Sequence, residues 1–191
     1  PPVVATEPPV VVTEPPTNEP PDYFVEEFEN GLGNYFYFVP YGNEDYADVR
    51  AEDGLLKFNI TSKELYYYLM YDPYTYGDVR LDVEVVNQGV NDNEVSLICR
   101  YDETLGWYEF SVTSGGLWTI YYYDNVINKD YSIIADGGST NVKMGRDTNS
   151  YTVICQGREL SLYINGTLTK KVEHKDLSRG LVGIGVSSFD A

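Results

Sequence analysis

In the segment VRLDVEVV, Val79, Leu81, Val83 and Val85 fall on one side of an extended chain and Arg80, Asp82 and Glu84 on the other. That alternation is the mark of a strand with one buried and one wet face. Similar runs recur along most of the chain. The spacing predicts strands over Leu55–Thr61, Glu64–Met70, Val79–Val86, Glu94–Tyr101, Trp107–Thr113, Leu117–Tyr123, Ser132–Ala135, Ser150–Gln156, Glu159–Ile164, Leu168–Glu173 and Leu181–Ser187. Turn signals stand between them: Asp53-Gly54, Ser114-Gly115-Gly116, Asp136-Gly137-Gly138 and Asn165-Gly166. The last is the sharpest, because Asn-Gly between two strand-forming runs suits a type I′ hairpin turn. No segment has helical periodicity. So many short strands imply an all-β, two-sheet antiparallel β-sandwich.

Residues 1–22 differ in kind. They read PPVVATE, PPVVVTE, PPTNE, PPD, and hold eight of the ten prolines. Proline fixes φ and removes an amide donor, so the segment reads as an extended tail in front of a domain over 23–191. At about 3.1 Å per residue it reaches on the order of 65 Å. It reads in two ways. One is a spacer. The other is self-association, with Val3, Val4, Val10, Val11 and Val12 adding to the edge of a neighbouring sheet.

Composition narrows the partners. Thirteen Lys and Arg stand against 30 Asp and Glu, a formal net charge of −17. Nucleic acids and anionic membranes demand a positive face, so neither is an expected partner. No apolar run approaches the roughly 18 residues that span a bilayer. The start at Pro1, without Met or a signal sequence, reads as a mature or trimmed product. Nineteen Tyr, seven Phe and two Trp supply many rings for strands and wet surfaces. In YYYLMY and IYYYD the tyrosines fall on both faces of their strands. The two cysteines, Cys99 and Cys155, sit in apolar runs. They read as one disulfide if the chain is exported, or as two buried thiols.

Several segments in order resemble the concanavalin A-like lectin/glucanase jelly roll. They are FVEEFENGLGNYFYF, AEDGLLKFNI, YGDVRLDVEVV, VSLICRYDETLGWYEFSVTSGGLWTIYY, NSYTVICQGRELSLYINGTL and RGLVGIGVSSFD. More narrowly, they are similar to bacterial extracellular domains near family 16 glycoside hydrolases, laminin-G-like modules and 3-keto-disaccharide hydrolases. The resemblance spans residues 23–191 and implies a jelly-roll sandwich. It does not decide function, because this fold carries binders and hydrolases alike.

The family's hydrolases carry E-x-D-x-x-E on one strand, and that string is missing. Retaining glycosidases need two carboxyls about 5–5.5 Å apart. The nearest same-face pair, Asp82 and Glu84, reads as the wet side of a strand. The single histidine, His174, lies in a polar stretch with no serine elbow or zinc-ligand spacing to partner it. The expectation is therefore no enzyme and no catalytic residue. Sugar binding fits the residues better, and the resemblance places it on the concave sheet or its rim. The candidates are Arg100, Tyr101, Trp107, Glu109, Trp118, Tyr121 and Tyr123, with Trp107, Trp118 and Arg100 preferred; the same rings also read as cross-strand packing. Related sandwiches hold structural calcium where first and last strands meet. Glu27, Glu29, Asn30 and Asp190 occupy the matching segments, with oxygen ligands that suit it; they also read as plain acidic turn residues.

Three functions follow in order. The first is a non-enzymatic bacterial cell-surface or extracellular subunit, structural or adhesive, that self-associates with its own copies through the tail, as in a filament. The second is a carbohydrate-binding module on a spacer, with polysaccharide as partner. The third is a divergent glycoside hydrolase.

Overall fold

A computed structural model describes residues 19–189. The tail valines and Asp190 lie outside the described residues. Among the described residues thirteen strands follow one another: β1 (Tyr35–Tyr41), β2 (Ala47–Glu52), β3 (Leu55–Ile60), β4 (Leu65–Tyr76), β5 (Val79–Val86), β6 (Glu94–Asp102), β7 (Gly106–Thr113), β8 (Leu117–Asp124), β9 (Asp130–Gly138), β10 (Thr148–Gln156), β11 (Glu159–Ile164), β12 (Thr167–Glu173) and β13 (Gly180–Ser188). A seven-stranded sheet runs β1-β4-β13-β6-β7-β8-β9, a four-stranded sheet runs β12-β11-β10-β5, and β2 and β3 form a hairpin. Every ladder is antiparallel.

The sandwich core forms where the two large sheets face each other. Leu97 and Cys99 of β6, Tyr108, Phe110 and Val112 of β7, and Trp118 and Ile120 of β8 meet Tyr151, Val153 and Cys155 of β10 and Leu160, Leu162 and Ile164 of β11. Val79, Leu81, Val83 and Val85 pack on this core as their alternation implies. Cys99 and Cys155 are joined by a disulfide, so a covalent bond crosses from one sheet to the other. The inner side of β1 and β4 is covered differently. Phe58 of the β2–β3 hairpin packs edge-on against Tyr67 at 6.1 Å, and Phe24 stacks on Tyr71 at 5.2 Å.

Two strands escape the alternation reading. β1, YFYFVPY, carries aromatic rings on both faces, and even its exposed positions include Tyr37 and Tyr41, so no polar residues punctuate it. β2, ADVRAE, does alternate, but its inward residues are small and its signal weak. Three of the four turn signals behave as read, among them Ser114-Gly115-Gly116 between β7 and β8. Asp53-Gly54 and Asn165-Gly166 both take positive φ, at 56° and 72° and at 51° and 77°. Asp136-Gly137-Gly138 does not. It lies inside β9, paired with β8. Gly137 is there for space: a Cβ on it would stand 2.8 Å from Cζ2 of Trp118.

Two outcomes test this packing. The double replacement C99S/C155S removes a cross-link between cysteines 56 residues apart. It should cost about 4 kcal/mol by chain-entropy arithmetic, read as a lowered urea midpoint. G137A should cost roughly 1–3 kcal/mol, because the indole of Trp118 has no room to give way inside the core; thermal unfolding measures it.

Candidate functional site

The other face of the seven-stranded sheet, turned away from the core, has an order set by register. One row across it reads Met70, Gly183, Ile98, Glu109, Tyr121. The next reads Tyr68, Gly185, Ser96, Ser111, Thr119. A third reads Tyr66, Ser187, Glu94, Thr113. In the middle, β13 contributes glycine, glycine and serine. A Cβ on Gly183 would come within 2.4 Å of the Met70 sulfur, and one on Gly185 within 2.5 Å of the Tyr68 ring. Both side chains therefore lie across β13, over backbone that carries nothing in their way.

That route lets Tyr68 reach Glu109, three strands away. Its hydroxyl lies 2.9 and 3.1 Å from the two carboxylate oxygens. Ser96 and Ser111 donate to Oε1 at 2.7 and 3.0 Å, and the Trp107 indole donates to Oε2 at 3.2 Å. Glu109 is only 2% exposed. Tyr131 closes the group, its hydroxyl 3.2 Å from that of Tyr68. Burial first, and the Glu109 charge second, push the pKa values of Tyr68 and Tyr131 far up, so both hydroxyls keep their protons and stay donors.

Rings surround this hub. Trp107 stacks on Tyr123 at 4.1 Å and touches Phe38, Tyr101 and Tyr131 at 5.5 to 5.9 Å. Trp107 is 6% exposed, so it is the centre of the cluster, and the half-buried Tyr101, Tyr121, Tyr123 and Tyr131 form its accessible edge. Beyond them lies Glu94, half-buried. Burial, then the charge of Glu109, pushes its pKa up to about 7. Tyr66 and Tyr121 are close enough that, after burial, the Glu94 charge helps to raise their own pKa values.

Of the residues singled out from sequence, Tyr101, Trp107, Glu109, Tyr121 and Tyr123 come together on this face. Two are corrected. Trp118 points into the sandwich core, on the opposite side of the sheet. Arg100 sits at a bulge with φ of 55°, is 1% exposed, and donates to the carbonyls of Gly77 at 3.1 Å and Leu177 at 2.9 Å. That guanidinium ties loops together and is unavailable to a ligand. Residues the sequence reading passed over are Glu94, Tyr66, Tyr68 and Tyr131. Glu94 shares its face with Ser96 and Ile98 in EVSLI, a faint signal, and only register places it beside the tyrosines.

Of the calcium candidates, Asp190 lies outside the described residues. Glu27 and Glu29 are exposed. Asn30 lines a small cavity of about 140 Å³ with Glu26, Gly31, Gly33 and Asn34, and the Glu26 carboxylate is taken by the Phe28 amide at 2.8 Å and the Tyr35 hydroxyl at 3.2 Å. Among the described residues no three His, Cys, Asp or Glu gather to hold a metal ion. His174 is engaged structurally: its Nδ1 lies 2.9 Å from the Tyr108 hydroxyl, which also accepts from the Leu177 amide at 3.0 Å. No helix among the described residues is long and apolar enough to cross a membrane.

No protein-family model and no curated protein matches this chain. Solved structures do. The carbohydrate-binding module CBM66 from Bacillus subtilis matches with a TM-score of 0.58 at 11% identity, over 82% of this chain and 94% of that one. A protein of unknown function with a galectin-like fold, also from Bacillus subtilis, matches with 0.59 at 10% identity, over 80% and 83%. A family 16 endo-glucanase from Bacteroides ovatus matches with 0.54 at 6% identity, over 87% and 84%. A binding module, a protein of unknown function and a hydrolase thus share one architecture at identities that speak to fold alone. The two facing antiparallel sheets, their strand order and these likenesses show that the chain has the concanavalin A-like jelly-roll fold.

Proposed function

We propose that this domain is a non-catalytic carbohydrate-binding module that works outside the cell. The observation that carries this is the outer face of the seven-stranded sheet. It offers half-buried tyrosine rings and hydroxyls around the half-buried carboxyl of Glu94, while the carboxyl of Glu109 is consumed by internal donors. Rings that pack one face and keep a wet hydroxyl suit the alternating apolar and polar faces of a sugar. The likeness to a carbohydrate-binding module supports the same reading. A disulfide supports an oxidising compartment. Self-association through the tail depends on valines outside the described residues, and the described geometry bears on the outer face instead.

A hydrolase draws on one observation. Glu94, raised to about 7, has the pKa of a general acid at neutral pH. It lacks a partner. A nucleophile needs free lone pairs, and the roughly four acceptor positions of Glu109 are occupied by Ser96, Ser111, Tyr68 and Trp107. The two glutamates also stand four residues out of register on neighbouring strands, because Glu94 pairs with Thr113; that is about 13 Å of strand.

Two outcomes are expected. On a panel of neutral polysaccharides, the protein should bind at least one and release no reducing ends from any. Y121A and Y66A should each weaken that binding by about tenfold or more, as loss of a ring anchor does; affinity electrophoresis reads it, and unchanged binding in both variants would remove the outer face from consideration. The second outcome concerns stability. A folded-state pKa near 7 against an ordinary 4.5 means that the native protein holds the Glu94 proton more tightly than the unfolded chain does. Its contribution is full below pH 4.5 and is lost as the pH rises through 7. Urea midpoints of the wild type should fall over that window relative to those of E94Q.

A further inference from the structure

Glu94 is set apart from the other glutamate on the outer face. Glu109 has its donors. Thr113, paired with Glu94, uses its hydroxyl on Leu117, accepting from the amide at 3.0 Å. Ser96 and Ser111 are bound to Glu109 and lie 2.8 Å from each other. Glu94 has no hydrogen-bond donor among the described residues, and it is half-buried with the charge of Glu109 acting on it. A carboxylate that has lost part of its water and gained no donor carries an unmet cost. What relieves it is a donor from outside.

The charges around it have one sign. On the outer face Glu109 faces it from β7, and Asp136 stands on β9 opposite Thr119. From β4 and β8 the neighbours are Tyr66 and Tyr121, neutral hydroxyls whose pKa values are raised, by burial above all. From β13 the neighbour is Ser187. Arg100, the cation that the sequence suggested for this face, is turned away to Gly77 and Leu177.

We infer that Glu94 sets the class of glycan this face takes: a ligand that donates hydroxyls and bears no negative charge, so that uronate-containing and sulfated polysaccharides are rejected. This rests on the reading of the outer face as a glycan site. A hydroxyl of a neutral sugar satisfies Glu94. A carboxylate or sulfate would meet the charge of Glu94, reinforced at longer range by those of Glu109 and Asp136, and it would leave the acceptors of Glu94 unpaired. Such repulsion is the usual means by which a surface excludes a near-identical competitor. The discrimination also has a pH sense. Below about 7 Glu94 is protonated, carries no charge and becomes a donor itself; above it, it is a charged acceptor.

The test uses a matched pair: whichever neutral polysaccharide binds, and the same polymer carboxymethylated. The two differ in charge and little else. Affinity electrophoresis or calorimetry of the full chain is run near 0.15 M salt, where the Debye length is about 8 Å and the bulk negative charge of the protein is largely screened. Glu84, exposed on β5 of the other sheet, supplies the control E84Q, which removes one negative charge far from the face. In the wild type at alkaline pH the neutral polymer should bind at least about tenfold more tightly than the charged one. The ratio should narrow at acid pH. In E94Q it should fall to about threefold or less at alkaline pH and lose its pH dependence, and in E84Q it should match the wild type. A wild-type ratio near one, or an E94Q ratio equal to that of the wild type, overturns the role of Glu94 and leaves the glycan site standing. Binding of no neutral glycan at all overturns the site, and this inference with it.

Discussion

Glu109 takes a carboxylate out of water on the side of the sheet where water would otherwise reach it, and the outer face is built around keeping that charge hydrogen bonded. A buried carboxylate without donors would cost several kcal/mol or be forced to take up a proton. Ser96 and Ser111 come from the neighbouring and the same strand, Trp107 from two residues before, and Tyr68 from three strands away. The last is possible only because β13, lying between, presents Gly183 and Gly185. Those two glycines look like empty positions in a closing strand. They are what lets a tyrosine hydroxyl cross the sheet.

The same constraint divides the labour between two glutamates on neighbouring strands. Glu109, fully supplied, is a fixture that orients Tyr68, Trp107 and Tyr131. Glu94, supplied with nothing, faces outward from among tyrosines with its proton held near neutrality. Identical side chains on one face therefore differ, one supplied with donors and the other open. The difference lies in donor geometry, not in residue type. The sandwich behind them is held rigid by the apolar core and by the disulfide between Cys99 and Cys155, so the outer face stands on a firm support.

Much of the fold was legible because strand alternation is a one-dimensional signal. Val79, Leu81, Val83 and Val85 face the core as their spacing says, and Asn165-Gly166 turns with positive φ as its chemistry demands. The failures have a common cause. Trp118 and Trp107 are both tryptophans on adjacent strands, and composition treats them alike. Pairing of Val112 with Trp118, and of Trp107 with Tyr123, puts them on opposite faces. Arg100 sits in phase with Ile98 and Ser96, yet a bulge with positive φ swings it away from both. Asp136-Gly137-Gly138 carries turn chemistry, but Gly137 serves the indole beneath it.

By itself, then, the sequence determined what depends on neighbours along the chain: the all-β class, most strand positions, three turns, the excess of acidic residues, and the cysteines as inward-facing residues. Only the tertiary structure decided which face each ring occupies, which glutamate is satisfied and which is left open, and that two glycines are a passage for Tyr68. The physical reason is that hydrogen bonding and burial across a sheet depend on register. Register is fixed by pairing between strands far apart in sequence, and a shift of one residue would exchange every inward and outward side chain.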